Sequence, residues 1–137
     1  MKSQKIEFPP KFKSVRMIYG EEARKTLLAG IQTLSEVGQK TLGPGGRNIA
    51  IDYEGGEPRV TKDGVTVLKS IFLDERDKDL GAKLLKRASG ATNTFAGDGT
   101  TTSSILAREI IARGNNAIEF EGAHPVAIKR GLDKAFQ

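Results

Sequence analysis

Cysteine and tryptophan are absent from this chain, and aromatic residues are few. Without cysteine there is no disulfide, no thiol nucleophile and no Cys-ligated zinc site. Only 6% of the residues are aromatic, so we expect a core built mainly from aliphatic side chains, which leaves little stability to spare. No stretch approaches the roughly 18 apolar residues of a membrane span, and we therefore expect no membrane partner.

Two common nucleotide-binding motifs are also missing. The chain contains neither the P-loop pattern G-x-x-x-x-G-K-S/T nor the dinucleotide fingerprint G-x-G-x-x-G. A nucleotide bound by this chain therefore has to be held by a different arrangement of residues.

The net charge of +5 is concentrated at the amino terminus. Five of the basic residues and a single acidic residue lie among residues 1–16, so the remaining chain is nearly neutral. A basic surface is a feature of nucleic-acid-binding proteins. Here it is confined to one end, and we expect no nucleic-acid partner. A nucleic-acid-binding domain remains an alternative that charge alone suggests.

The pattern of apolar residues predicts a mainly helical domain. Residues 1–18 are predicted to form an irregular or extended arm. A helix begins near Glu21 and ends before the glycine- and proline-rich residues 43–46, and its apolar positions recur every three or four residues: Ala23, Leu27, Ile31 and Leu34. Further helices are predicted over residues 77–95, over residues 99–120 and from Pro125 onward.

A small β-hairpin is predicted between the first two helices. Residues 47–53 and 59–61 are its strands, separated by a turn at residues 54–58. The segment 65–72 fits either a strand or a short helix, which Asp63 would cap. In the predicted helix over residues 77–95, one apolar face is predicted to carry Leu80, Leu84, Leu85 and Ala88.

The strongest candidate site is the sequence A-G-D-G-T-T-T at residues 96–102, directly before a helix. Its glycines permit a close approach of the backbone to a ligand, and a helix start offers unpaired amides to an anion. A carboxylate at Asp98 would repel phosphate unless a cation such as Mg²⁺ bridged the two. An ordinary turn with a threonine N-cap remains the alternative.

Two further segments point to the same chemistry with less force. T-L-G-P-G-G-R-N at residues 41–48 follows a helix end, whose free carbonyls suit a cation or an adenosine hydroxyl. T-K-D-G-V-T at residues 61–66 places Asp63 at a tight corner, where a carboxylate can position a water molecule for attack on a phosphate. A simple helix stop and a simple helix cap are the respective alternatives.

These segments together resemble the group I chaperonins, the GroEL-like family. The order T-L-G-P-x-G-R-N, T-K-D-G-V-T-V, A-G-D-G-T-T-T and then H-P-x-x-I-K-R-G is similar to the first part of that family's equatorial domain. The resemblance implies an ATP-dependent protein-folding chaperone with a helical equatorial ATPase domain. It assigns residues 19–137 to the amino-terminal half of that domain, ending before the intermediate and apical domains.

The resemblance also implies roles for individual residues. The nucleotide site would be lined at the end of the first helix by Thr41, Leu42, Gly43 and Pro44. The phosphates would be held by Gly97, Gly99, Thr100, Thr101 and Thr102. Asp98 would coordinate Mg²⁺, and the backbone oxygens of Thr41 and Lys62 would lie near K⁺. Asp63, with Gly64, would lie beside the γ-phosphate of ATP, and Asp63 would be the catalytic residue.

Partners and compartment follow from the same resemblance. The whole protein would be a homo-oligomeric ring that binds unfolded clients and a co-chaperonin through segments outside this chain, with the hairpin pairing to a neighbouring subunit. The isolated piece is expected not to turn over ATP, so a nucleotide- or phosphate-binding module without turnover is the alternative for this chain. Residues 66–71 resemble mitochondrial members more than bacterial ones, which favours the mitochondrial matrix over the cytoplasm or another organelle. Gly45 stands where the family often has a lysine.

Overall fold

The computed structural model describes residues 16–137, and five helices and one hairpin make up this part of the chain. The helices are α1 (Gly20–Gln39), α2 (Gly64–Ser70), α3 (Arg76–Ala96), α4 (Thr100–Phe120) and α5 (Pro125–Ala135). The strands β1 (Ile49–Ile51) and β2 (Arg59–Thr61) pair antiparallel. The predicted mainly α fold with a small hairpin is confirmed. Most of the predicted arm, residues 1–15, lies outside the described residues.

The crossing of α1 and α3 is set by two glycines. A Cβ on Gly30 would overlap the Lys78 carbonyl oxygen, and a Cβ on Gly81 would overlap the Leu27 carbonyl oxygen. The two helices therefore approach more closely than larger side chains would allow. Helices α2 and α4 pack against both α1 and α3, whereas the hairpin packs on α2 and α5 packs on α4.

The core is aliphatic, as the scarcity of aromatic residues predicts. It consists of Ile31, Leu34, Leu68, Ala82 and Leu85, all almost fully buried. Burying one such leucine contributes about 1.5–3 kcal/mol. Because Leu68 belongs to α2, the core fixes this short helix against both α1 and α3.

The predicted buried face of α3 is partly wrong. Leu85 is buried, but Leu80 and Leu84 are 42% and 49% exposed, and Ala88 is exposed as well. The glycine at the crossing explains the difference: α3 turns Gly81, Ala82 and Leu85 toward α1, which moves the neighbouring leucines to the edge. Apolar periodicity alone does not reveal that a glycine determines the closest approach.

The short elements resolve the alternatives that the sequence left open. Residues 64–70 form a helix, not a strand, and Asp63 is its N-cap. At α5, His124 is the N-cap, with Nδ1 accepting a hydrogen bond from the Val126 amide at 3.2 Å.

No helix within residues 16–137 has the length and apolar character needed to cross a membrane.

Candidate functional site

Three segments that are distant in the sequence meet around one open cavity of about 220 Å³. They are the turn after α1, the corner before α2 and the loop that leads into α4. The residues that line the cavity are Thr41, Leu42, Gly43, Lys62, Asp63, Gly64, Val65, Asp98, Gly99, Thr100, Thr101 and Thr102. The fold thus brings the three candidate segments of the sequence together.

The turn after α1 is fixed by hydrogen bonds to the last turn of the helix. The Thr41 amide and hydroxyl both donate to the Gly38 carbonyl, at 3.0 and 2.8 Å. The Arg47 amide then donates to the Lys40 carbonyl at 2.7 Å, which closes the loop. Thr41 is consequently buried, while Leu42 and Gly43 remain exposed at the cavity.

The corner before α2 is organised by Asp63. Its carboxylate accepts hydrogen bonds from the Val65 and Thr66 amides, at 3.2 and 3.0 Å, and from the Thr66 hydroxyl. Its own amide donates to the Thr61 hydroxyl at 3.1 Å. The helix-cap alternative for Asp63 is therefore correct, and the capped side chain also lines the cavity.

The hydrogen bonds to Asp63 keep its carboxyl group ionised. The Thr66 hydroxyl is the main cause that lowers the pKa of Asp63, and the Thr66 and Val65 amides add to it against the opposing effect of burial. The charge of Arg59 lowers the pKa of Asp63 further. A carboxylate with a lowered pKa is a weak base, so it is better suited to orienting a water molecule than to removing its proton.

Gly64 lies between the corner and the start of α4. A Cβ at this position would overlap the Thr101 hydroxyl and would come within 3.0 Å of Thr41 Oγ1. The absence of a side chain thus allows all three segments to approach one another. Any other residue here would force the Thr101 side chain, or one of the segments, to shift.

The loop into α4 leaves the start of that helix open. Gly97 ends α3 in the left-handed conformation, and Gly99, with φ of 89°, is the N-cap of α4. The Asp98 carboxylate accepts a hydrogen bond from the Gly99 amide at 2.6 Å. No side chain of the described residues caps α4, so the threonine N-cap alternative is wrong. The first amides of α4 therefore remain available to a ligand.

Thr100 has an unsatisfied hydroxyl beside the cavity. The residue is 5% exposed, and its Oγ1 has no hydrogen-bond partner among the described residues. A buried hydroxyl without a partner costs about 1–3 kcal/mol. A ligand that accepts a hydrogen bond from this oxygen would remove that cost.

Most of the predicted site residues line the cavity, but two do not. Pro44 lies in the exposed turn that follows Gly43, and Gly97 serves as the C-cap of α3 with its amide donating to Asn93. Val65 lines the cavity and was not predicted. Its position inside T-K-D-G-V-T, directly after Gly64, was the available signal.

Comparisons with known proteins identify the family. A family model described as "TCP-1/cpn60 chaperonin family" matches residues 34–137. The chain belongs to this chaperonin family. It is 45% identical over 121 residues to a protein of Euglena gracilis named "Chaperonin CPN60, mitochondrial". That match covers 88% of this chain and 21% of the relative, so the chain spans about a fifth of its length.

A solved chaperonin structure has a similar fold. It is the crystal structure of the chaperonin gp146 from the bacteriophage EL 2 (Pseudomonas aeruginosa), determined in the presence of ATP-BeFx. The TM-score is 0.63 at 26% identity, and the match covers 75% of this chain and 18% of that chain. The chaperonin resemblance and the helical fold predicted from the sequence are confirmed.

The donor set of the cavity suits an anionic ligand that is bound together with a cation. Asp98 is a carboxylate of the kind that holds Mg²⁺ together with phosphate oxygens. Among residues 16–137 there is no cluster of three or more acidic or histidine side chains that would bind a metal without such help. The unpaired Thr100 hydroxyl and the space kept free at Gly64 both fit a bound anionic group.

Proposed function

We propose that this chain is the part of an ATP-dependent protein-folding chaperonin that holds Mg-ATP. The observation that carries the proposal is the cavity itself, which is lined by the turn after α1, the corner at Asp63 and the loop at Asp98. Each segment alone has an ordinary structural explanation. Their convergence on one cavity, with an open helix start and an unpaired hydroxyl, favours a ligand.

The open start of α4 would bind the phosphates of ATP. Its free amides and the hydroxyls of Thr100, Thr101 and Thr102 are hydrogen-bond donors, and the helix dipole favours negative charge at this end. Gly99 would let the backbone approach closely. Asp98 would hold Mg²⁺, which when bound neutralises part of the charge of the triphosphate.

Asp63 is the proposed catalytic residue. Its lowered pKa keeps it charged, and the hydrogen bonds from α2 fix its direction. In that state it would accept a hydrogen bond from a water molecule and orient that water toward the γ-phosphate. This environment therefore supports a role for Asp63 in positioning the water molecule, with little removal of its proton.

A potassium ion is proposed on the other side of the cavity. Thr41 and Lys62 both line it, and their backbone carbonyl oxygens are ligands of the kind that K⁺ accepts. The remaining contacts to the adenosine would include Leu42 and Gly43, which are exposed at the cavity.

The properties of the whole protein are part of the same proposal. It would form a ring of identical subunits, bind unfolded protein clients and a co-chaperonin, and reside in the mitochondrial matrix. The hairpin of β1 and β2 would contact the neighbouring subunit, and its exposed Val60 supports this, since it is 67% exposed on a strand. The mitochondrial name of the 45% identical relative supports the compartment.

Nucleotide binding without turnover is the second candidate for this chain. Of the residues that the structure describes, only two carboxylates, Asp63 and Asp98, line the cavity, and both Asp63 oxygens already accept hydrogen bonds from α2. This arrangement supports binding more strongly than it supports hydrolysis.

Calorimetric titration with ATP tests the proposal. ATP is expected to bind in the presence of Mg²⁺ and much more weakly in EDTA. Asp98→Asn should weaken Mg-ATP binding by at least about 10- to 100-fold, the range found when only an outer-shell partner of a metal ligand is changed. Asp52→Asn, on the exposed hairpin, is the matched control. Equal affinity for ATP with and without Mg²⁺ would contradict the role of Asp98. Phosphate release by this chain alone, measured beside that of the assembled protein, distinguishes the two candidates.

A further inference from the structure

Helix α2 is short, and it is bound at both ends by charged side chains. It has seven residues, Gly64–Ser70, and therefore spans only about 10 Å. Its amino end is capped by Asp63, which lines the cavity. Its carboxyl end points away from the cavity toward α3.

Lys86 of α3 binds the carboxyl end of α2. Its ammonium group donates hydrogen bonds to the Ile71 carbonyl and, at 3.3 Å, to the Lys69 carbonyl. The same nitrogen lies 4.3 Å from the centre of the Phe72 ring. A cation at this position satisfies carbonyls that the helix itself leaves unpaired, and it interacts favourably with the negative end of the dipole.

Asp79 adds a second contact from the same helix. Its carboxylate, almost fully buried, accepts a hydrogen bond from the Leu73 amide at 3.2 Å and pairs with Lys83 at 2.7 Å. Residues 69–73 are thus held by α3 through a donor at Lys86 and an acceptor at Asp79. Neither residue belongs to the segments that line the nucleotide cavity.

The body of α2 connects this anchor to the cavity. Val67 and Leu68, 1% and 2% exposed, pack it into the core between the two ends. A helix of two turns that is packed in this way moves as one body. A shift at residues 69–71 therefore changes the position of Asp63 and of the amides that bond to its carboxylate.

We infer that Lys86 is a positioning residue for Asp63 and acts through α2. The inference rests on the proposed function only where it concerns the affinity of the chain for Mg-ATP. Lys86 holds the carboxyl end of α2 so that the capped amino end stays against Thr101 and the cavity. It does not touch the cavity itself.

Amide hydrogen exchange measured by NMR tests this directly. In Lys86→Met the Val65 and Thr66 amides, which bond to Asp63, are expected to exchange about tenfold faster, since the loss of a charged hydrogen bond loosens the helix. The Leu34 and Leu85 amides in the core are expected to keep their rates. Arg87→Met, which removes the adjacent and exposed cation of α3, is the matched control and should leave all four amides unchanged.

Lys86→Arg keeps the charge and the donors and should restore slow exchange at both cap amides. Exchange of Val65 and Thr66 that stays at the wild-type rate in Lys86→Met overturns the inference. If Lys86→Met does not fold, Lys86→Gln is compared with Lys86→Arg by the same measurement, and equal exchange at the cap amides again overturns it.

Mg-ATP titration of the same variants separates this inference from the proposed function. The affinity of Lys86→Met for Mg-ATP is expected to fall about tenfold relative to Arg87→Met. If the wild-type chain binds no Mg-ATP, the proposed function is overturned. The exchange rates of the Val65 and Thr66 amides would in that case still test whether Lys86 holds the Asp63 cap in place. If Lys86→Met binds Mg-ATP as tightly as the wild type and its cap amides exchange at the wild-type rate, the inference about Lys86 is overturned and the proposed function is not.

Discussion

Gly64, at the start of α2, lies so close to Thr101, at the start of α4, that a Cβ on Gly64 would overlap the Thr101 hydroxyl. This contact joins two of the segments that line the cavity. Gly64→Ala is therefore expected to cost about 1–3 kcal/mol by overpacking and to weaken Mg-ATP binding. Chemical denaturation and nucleotide titration measure the two effects.

Gly131→Ala is the control for that substitution. Gly131 lies in α5, and a Cβ there would meet nothing within 4 Å. Alanine at this position should raise stability by up to about 1 kcal/mol, because it favours helix more than glycine does. Equal stability and equal affinity for Gly64→Ala and the wild type would show that the close approach at Gly64 is unimportant.

Asp63 has two roles that different substitutions separate. Asp63→Ala removes both the cap and the charge, and it should cost about 1 kcal/mol of stability as well as turnover. Asp63→Asn retains a good N-cap residue but removes the charge, so it should lose turnover in the assembled protein with little loss of stability. Thermal denaturation and phosphate release measure these two outcomes. Full turnover by Asp63→Asn would exclude the proposed catalytic role.

The sequence predicts the elements of this fold well because local signals agree with each other. Proline at 125, the glycines around 45 and the capping residue Asp63 mark the ends of helices by local chemistry, and the structure places those ends within a few residues of the predictions. The face that each helix buries is predicted less well. It depends on how helices cross, and at α3 the crossing is decided by Gly81, a residue with no apolar side chain.

The residues that line the cavity were predicted from sequence motifs. The contacts between α2 and α3 that hold Asp63 in place were not predicted. Thr41 and Asp98 stand in glycine-rich segments, Asp63 stands before a single glycine, and the family resemblance links the three. The contact of Lys86 with the Ile71 carbonyl joins residues 15 positions apart and has no local sequence signal. Such contacts are fixed by the packing of α2 on α3 and become visible only in three dimensions.

Acid is expected to destabilise the fold through Asp79. The hydrogen bond from Lys83 is the main cause that lowers the pKa of Asp79, followed by the Leu73 amide. The folded-state pKa thus lies below the unfolded value of about 3.9. The stabilisation is complete above about pH 4 and is lost as the pH falls toward the folded-state pKa.

Thermal melts between about pH 7 and pH 3 test this expectation. Asp79→Asn should have a lower Tm than the wild type at neutral pH and a shallower fall in acid, because the variant no longer has a carboxylate to protonate at this site. Asp133→Asn, at an exposed position of α5, should retain the wild-type slope. Identical acid slopes for Asp79→Asn and the wild type would remove Asp79 from this account.

Gly45 offers a gain-of-affinity test. A Cβ at this position would meet nothing within 4 Å. Gly45 lines a second cavity of about 410 Å³, and Leu42 lines both this cavity and the candidate site. Gly45→Lys adds a cation to the turn after α1, beside the candidate cavity, and should strengthen binding of the ATP polyanion about two- to fivefold, less at high salt. Gly45→Ala controls for the backbone change. Equal affinity of the two variants would show that a charge at position 45 does not reach the bound nucleotide.

The central claim is that the turn after α1, the corner at Asp63 and the loop at Asp98 form one nucleotide site. The most direct test is an NMR titration of the ¹⁵N-labelled chain with Mg-ATP, following the amides of Gly43, Gly64 and Gly99. We predict that all three shift together along one binding curve, while the Gly131 amide in α5 does not move. Shifts confined to one segment, or three curves with different affinities, would contradict a shared site.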